Sequence, residues 1–116
     1  MANMRNQVRL IGRLGKDPDL KETTTGKKLA RLNLATNESY LNDKGERVSE
    51  TQWHSVICWG RLATLAEKYL AKGNELAIEG KINNRSYQDK DGSRKFITEI
   101  VASDFVMLGK RTAEAA

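Results

Sequence analysis

Polar and apolar positions alternate with a period of two along most of the chain, with one helical interruption. Val8, Leu10, Gly12 and Leu14 alternate with Arg9, Ile11 and Arg13, which predicts a strand with one buried face. The run Gly15-Lys16-Asp17-Pro18-Asp19 holds the only proline and predicts a loop. A second strand is expected over Leu29 to Thr36, with Ala30, Leu32 and Leu34 facing inward. The polar stretch from Glu38 to Glu50 contains a plausible hairpin turn, Asp43-Lys44-Gly45, and a third strand takes Thr51 to Trp59. The period then becomes helical: Leu62, Leu65, Ala66, Tyr69 and Leu70 form one apolar stripe. Gly60 stands before it, and Lys72-Gly73 reads as its stop, a cation followed by a residue that tolerates the left-handed conformation. A fourth strand runs from Glu75 to Tyr87, Asp89-Lys90-Asp91-Gly92 turns the chain, and a long fifth strand runs from Lys95 to Leu108. Tyr69 and Phe96 are assigned to the core or its rim. No repeat is expected.

Five strands with a helix between the third and fourth predict a mainly all-β chain. They match the strand order of an oligonucleotide-binding (OB) barrel over residues 1–109, with a short flexible tail at 110–116. Periodicity alone fits other small β-barrels as well. The length of 116 residues and a hydrophobic share of 39% suit one domain with one core. No apolar run approaches the length of a membrane span, and Met1 to Asn6 holds no apolar signal-peptide region, so a cytoplasmic protein away from membranes is expected.

Charge sharpens this picture. The chain carries 20 Lys+Arg against 15 Asp+Glu, a formal +5. Residues 1–37 hold eight basic and three acidic residues, and residues 81–99 hold five and three. If these segments lie side by side they form one basic face suited to a polyanion. Ordinary surface charge for solubility accounts for them equally well.

Catalytic chemistry finds little support. His54 is the only histidine and Cys58 the only cysteine, so neither a disulfide nor a cysteine-cluster metal site can form. His54 has no nucleophile or metal-ligating partner in the pattern, and Cys58 reads as a buried, inert thiol. Gly12-Arg13-Leu14-Gly15-Lys16 departs from a phosphate loop in its glycine spacing and in the Asp17 that follows. Asp89-Lys90-Asp91-Gly92 departs from a calcium loop at Arg94 and Ile100. No catalytic residue, metal or cofactor is expected.

The positive signal is aromatic. Tyr40, Trp53 and Tyr87 sit among polar neighbours, and Trp59 lies between Cys58 and Gly60. Trp53 and Trp59 share parity in one strand, so they point to the same side unless a bulge intervenes. Bases of any identity stack on such rings, and interleaved cations hold the phosphates. A strand tryptophan is more often core, but polar neighbours on a chain with two basic segments favour a stacking surface.

These residues belong to a wider pattern. Asn6-Gln7-Val8-Arg9-Leu10-Ile11-Gly12-Arg13-Leu14-Gly15-Lys16-Asp17-Pro18, Leu34-Ala35-Thr36-Asn37-Glu38-Ser39-Tyr40, Thr51-Gln52-Trp53-His54-Ser55-Val56 and Trp59-Gly60-Arg61-Leu62-Ala63 follow in order. Tyr69-Leu70-Ala71-Lys72-Gly73 and Ile78-Glu79-Gly80-Lys81-Ile82 complete the set. Over residues 1 to about 109 the sequence resembles the bacterial single-stranded DNA-binding protein (SSB) family.

The resemblance implies a non-enzymatic OB barrel that coats single-stranded DNA without sequence preference in replication, recombination and repair. It implies a nucleoid-associated homotetramer. It places the family's stacking aromatics on Tyr40, Trp53, Trp59 and Tyr87, basic DNA contacts on Arg5, Lys72 and Arg85, and His54 near a subunit contact. Tyr40 and Tyr87 stand where tryptophan is familiar, and Trp59 where phenylalanine is. The acidic, phenylalanine-ended tip by which relatives recruit replication and repair enzymes is absent from Arg111-Thr112-Ala113-Glu114-Ala115-Ala116. The alternatives are an OB-fold RNA-binding chaperone and a primosome-type adaptor.

Overall fold

In the computed structural model, which describes residues 4–108, seven elements follow in the order β1 (Val8–Leu14), β2 (Asp19–Glu22), β3 (Lys28–Leu41), β4 (Arg47–Trp59), α1 (Arg61–Tyr69), β5 (Glu75–Gln88) and β6 (Arg94–Leu108). The tail expected over 110–116 lies outside the described residues. One sheet of order β1-β5-β6-β4-β3-β2 curls until β1 also meets β3, through Arg13–Ala35 and Leu14–Leu34. This closes the five-stranded barrel expected from the sequence, with its helix between the third and fourth barrel strands. Closure requires Gly12: a Cβ there would stand 2.2 Å from the Ala35 carbonyl oxygen.

The inward parity of each strand builds the core. Leu14, Ala30, Leu32, Leu34, Val56, Cys58, Leu76, Ile78 and Ile100 fill the barrel, and Ala63, Ala66 and Leu70 close it from the helix side. Each large aliphatic side chain buried there contributes about 1.5–3 kcal/mol relative to exposure. Cys58 is buried, and burial pushes its thiol up to about 12, which leaves it protonated and unreactive.

Several details depart from the sequence reading. The segment 15–19 does not remain loop throughout: Asp19–Glu22 forms β2, an edge strand paired with Lys28–Arg31. Its charged residues hide the strand signal, because only one face meets protein. The helix ends at Tyr69, with Leu70 extended at φ −100°, ψ 142° and buried. Gly73 (φ 92°) instead serves the following turn, where Ala71 and Asn74 bond each other. Tyr69, placed in the core stripe, is 56% exposed, and Ala63 takes its share of the buried face. Phe96, also assigned to the core or its rim, is 77% exposed.

The largest departure is the length of β3 and β4, whereas β5 and β6 run as expected to within a residue. β3 and β4 pair without a register break from Leu29–Trp59 to Leu41–Arg47. β5 and β6 pair out to Gln88–Arg94, with one irregularity at Glu79/Gly80. Two hairpin arms therefore project beyond the core, residues 37–51 and 84–98. The radius of gyration is 16.5 Å, against about 13 Å for a compact chain of similar length.

The arms also overturn the expectation of no repeat. Asn37, Ser39, Tyr40, Gly45, Arg47 and Thr51 recur as Asn84, Ser86, Tyr87, Gly92, Arg94 and Thr98, a constant offset of 47 residues. Their bonds recur as well. Thr51 Oγ1 donates to Asn37 Oδ1 at 2.8 Å and Thr98 Oγ1 to Asn84 Oδ1 at 2.7 Å. Arg47 Nη1 donates to Ser39 Oγ at 3.0 Å, and Arg94 Nη1 to Ser86 Oγ at 3.2 Å. In each turn one side-chain oxygen, Asn42 Oδ1 or Asp89 Oδ1, accepts two backbone N–H bonds, from Lys44 and Glu46 or from Asp91 and Ser93.

Candidate nucleic-acid interface

The outward parity of β4 reads Trp53, Ser55, Ile57, Trp59. No bulge interrupts it, so both tryptophans share one face, as their spacing predicts. Trp53 is 62% exposed and Trp59 41% exposed. Six residues of strand separate them by about 20 Å, room for several nucleotides.

Two features hold the rings. The six-membered ring of Trp53 lies over Gly15, where a Cβ would stand 2.5 Å from Cζ3. Trp59 has Lys27 Nζ 5.9 Å from its ring centroid, a cation–π contact.

Strand register extends this face across the sheet. Arg31 pairs with Ile57 on one side, and Ile57 with Val101 on the other. Val101 pairs with Lys81, Asn83 with Glu99, Arg85 with Ile97 and Tyr87 with Lys95. Trp53, Trp59, Arg31, Glu99, Arg85 and Tyr87 thus occupy the outward parity of one sheet. Tyr40 does not: it pairs with Val48, on the parity of Glu38 and Glu50 and opposite to Trp53.

At the centre stands Glu99, 4% exposed and the only buried charged side chain among the described residues. Arg85 grips it with a two-bond fork, Nε to Oε1 at 3.0 Å and Nη2 to Oε2 at 3.1 Å. Arg31 Nη1 lies 3.3 Å from Oε2 and 3.2 Å from Ser55 Oγ. Hydrogen bonds from Arg85 hold the Glu99 carboxyl below the usual carboxylate range against the opposing effect of burial, and Arg31 adds to the pull.

The two basic segments therefore meet here through charged side chains, Arg31 from the first and Arg85 from the second, and again where Asn6 bonds Ile82. Elsewhere they do not form one basic face. Arg9 is paired with Glu79 at 3.3 Å, and Arg13 stands opposite Glu75.

The other expected site residues lie apart. Lys72 is exposed in the turn after α1, and its backbone N–H donates to Asp17 Oδ1 at 2.8 Å. Arg5 is exposed beside Asn6, whose amide bonds both backbone groups of Ile82 at 2.9 and 3.1 Å. His54 is half-buried at the base of the first arm, with Nε2 2.9 Å from Thr36 Oγ1.

Sequence reasoning missed Arg31, Glu99 and Gly15. For Arg31 the signal was present, because it alternates with the inward Ala30 and Leu32. Glu99 needed the β4–β6 pairing, and Gly15 needed the position of a ring 38 residues away.

Residues 5–108 match the Single-strand binding protein family. The chain is 42% identical over 112 residues to Single-stranded DNA-binding protein 1 of Chlorobaculum tepidum, covering 96% of this chain and 69% of that protein. It is 41% identical over 106 residues to the single-stranded DNA-binding protein of Neisseria meningitidis serogroup A, covering 91% of this chain and 61% of that one. Among solved structures it resembles a Plasmodium falciparum SSB in complex with ssDNA, with a TM-score of 0.84 and 34% identity over 90% of this chain and 95% of that one.

Proposed function

The chain belongs to the single-strand binding protein family, and from that premise we propose that it binds and protects single-stranded DNA, without sequence preference and without catalysis, during replication, recombination and repair. Trp53, Trp59 and Tyr87 act as stacking platforms, Tyr40 as a further ring on the reverse face of its arm, and Arg5, Lys72 and Arg85 as phosphate contacts. Binding only the unpaired form removes secondary structure by mass action, so no nucleotide hydrolysis is needed. The barrel domain spans residues 1–109, the working form is a homotetramer with His54 near a subunit contact, and the setting is the cytoplasm and nucleoid. Four copies of 13.0 kDa weigh about 52 kDa, which light scattering measures.

The observation that carries the reading is the exposure of Trp53 and Trp59 on one face, with Arg31 and Arg85 at its centre. A core role would bury the rings. Adding oligo-dT is expected to quench the tryptophan fluorescence. Trp53→Ala is expected to weaken binding by about 1–3 kcal/mol with the fold intact. An unfolded Trp53→Ala protein, or one binding as tightly as the parent, would overturn the role given to Trp53. Preference for ribo- over deoxy-homopolymers would instead favour an RNA chaperone.

A further inference from the structure

The outer face between Trp53 and Trp59 has a composition of its own. Ser55 and Ile57 fill the intervening outward positions of β4, and both are largely shielded. What the face offers a ligand there is charge, from Arg31 on the β3 side and from Arg85 beyond Glu99.

Glu99 explains one arginine but not two. Arg85 already meets both carboxylate oxygens in a fork, the geometry that satisfies a buried carboxylate most fully. Arg31 comes to the same group from the opposite side, and Ser55 Oγ steadies it. Both of its bonds run through Nη1, so among the described residues Nε and Nη2 carry no protein hydrogen bond. Two guanidiniums against one carboxylate leave one positive charge in surplus. It is held on rigid strand rather than on a loop, between two exposed rings, two register positions from Trp59 and four from Trp53.

Bases stacked on Trp53 and Trp59 belong to one strand, whose backbone must cross the residues between them. Each phosphate carries a full negative charge, and a guanidinium with free planar donors matches it better than a solvated lysine does. Building on the single-stranded DNA reading above, we infer that Arg31 is a phosphate-binding residue, anchored by Glu99 and Ser55 where the strand crosses from one tryptophan to the other. The positive end of the cluster faces the ligand, and the buried carboxylate holds it in place.

The test is a fluorescence titration of the whole chain with oligo-dT across a salt series, on the parent, Arg31→Gln and Arg31→Lys. Glutamine keeps a donor for Ser55 and Glu99 and removes the charge; Arg31→Met, which keeps the apolar stem, replaces it if Gln disturbs the fold. Thermal unfolding checks each variant. One lost phosphate contact is expected to lower the log–log salt slope by about 0.7. The affinity gap to the parent then narrows about threefold between about 50 and 200 mM salt. Arg31→Lys is expected to restore the slope. An unchanged slope in folded Arg31→Gln or Arg31→Met overturns the inference, whether affinity is unchanged or merely reduced, because a packing role moves stability and not counterion release. Failure of the parent itself to bind oligo-dT overturns the underlying reading instead.

Discussion

The two arms are the same hairpin built twice, with opposite charge. Residues 37–51 hold Lys44 and Arg47 against Glu38, Asp43, Glu46 and Glu50, a net −2. Residues 84–98 hold Arg85, Lys90, Arg94 and Lys95 against Asp89 and Asp91, a net +2. The paired N–H bonds to the Asn42 or Asp89 side-chain oxygen, the ladder bonds and the left-handed glycine (Gly45 φ 79°, Gly92 φ 86°) recur in both. The shared chemistry is therefore what makes an arm: with both faces in water, side-chain ladders and a preset turn do the work that burial does in the barrel. The unshared chemistry concerns what each arm can hold. Tyr87 stands with Arg85 and Lys95, whereas Tyr40 stands with Glu38 and Glu50.

The largest expected effect separates the two tyrosines. Tyr87→Ala should weaken oligo-dT binding by about 1–3 kcal/mol, since a base on that ring also meets Arg85 and Lys95. Tyr40→Ala should cost well under half as much, because a phosphate drawn to that ring approaches two carboxylates. Both rings are about half exposed, so neither loss unfolds the protein. Equal losses would show that ring position, and not charge, sets the strength of each stack.

Acid should distinguish the arms next. Glu99 and Arg85 lock the base of the basic arm; the offset of 47 puts Gln52 and Glu38 at the corresponding positions of the other, which cannot form that pair. The Glu99 carboxyl is held below its ordinary value. Its contribution is therefore present above the unfolded value, near pH 4.3, and is lost as pH falls through the folded value. Amide exchange in acid is expected to rise in residues 84–98 before 37–51. Simultaneous opening of both arms would detach the lock from the arm's stability.

The barrel and the strands of the basic arm were legible in the sequence, the readings Glu75–Tyr87 and Lys95–Leu108 coming within a residue of β5 and β6, whereas the acidic arm was not. Alternation records a boundary between core and water, as at Leu32 and Leu34 or Leu76 and Ile78. Beyond Thr36 both faces of β3 and β4 are wet, so these strands leave no alternating trace, and Glu38 to Glu50 reads only as a polar stretch around a hairpin turn. Phe96 shows the reverse failure: an apolar ring opening an apolar run looks like core, yet its partner Ser86 lies in the exposed half of β5. The parity of Trp53 and Trp59 could be read because it depends on one strand alone. The meeting of Arg31, Glu99 and Arg85 depends on four strands and their pairing.

The smallest effect concerns the acidic arm directly. Glu38 and Glu50 are direct cross-strand partners, and like charges in that relation destabilise a sheet by about 0.2–1 kcal/mol. On the basic arm the corresponding positions are Arg85 and Ile97, which carry no such repulsion. Glu38→Gln with Glu50→Gln keeps size and polarity and takes the arm from −2 to neutral. Thermal stability is expected to rise by a few tenths of a kcal/mol. Oligo-dT affinity is expected to rise a few-fold at low salt, and the gain should fade as salt screens exposed charges. The decisive measurement is Tyr40→Ala made in that neutralised arm. If the two carboxylates are what hold the strand away from Tyr40, its penalty should grow toward that of Tyr87. A penalty that stays as small as in the parent would mean that the reverse-face placement of Tyr40, opposite to Trp53 on the same ribbon, already keeps it off the path of the strand.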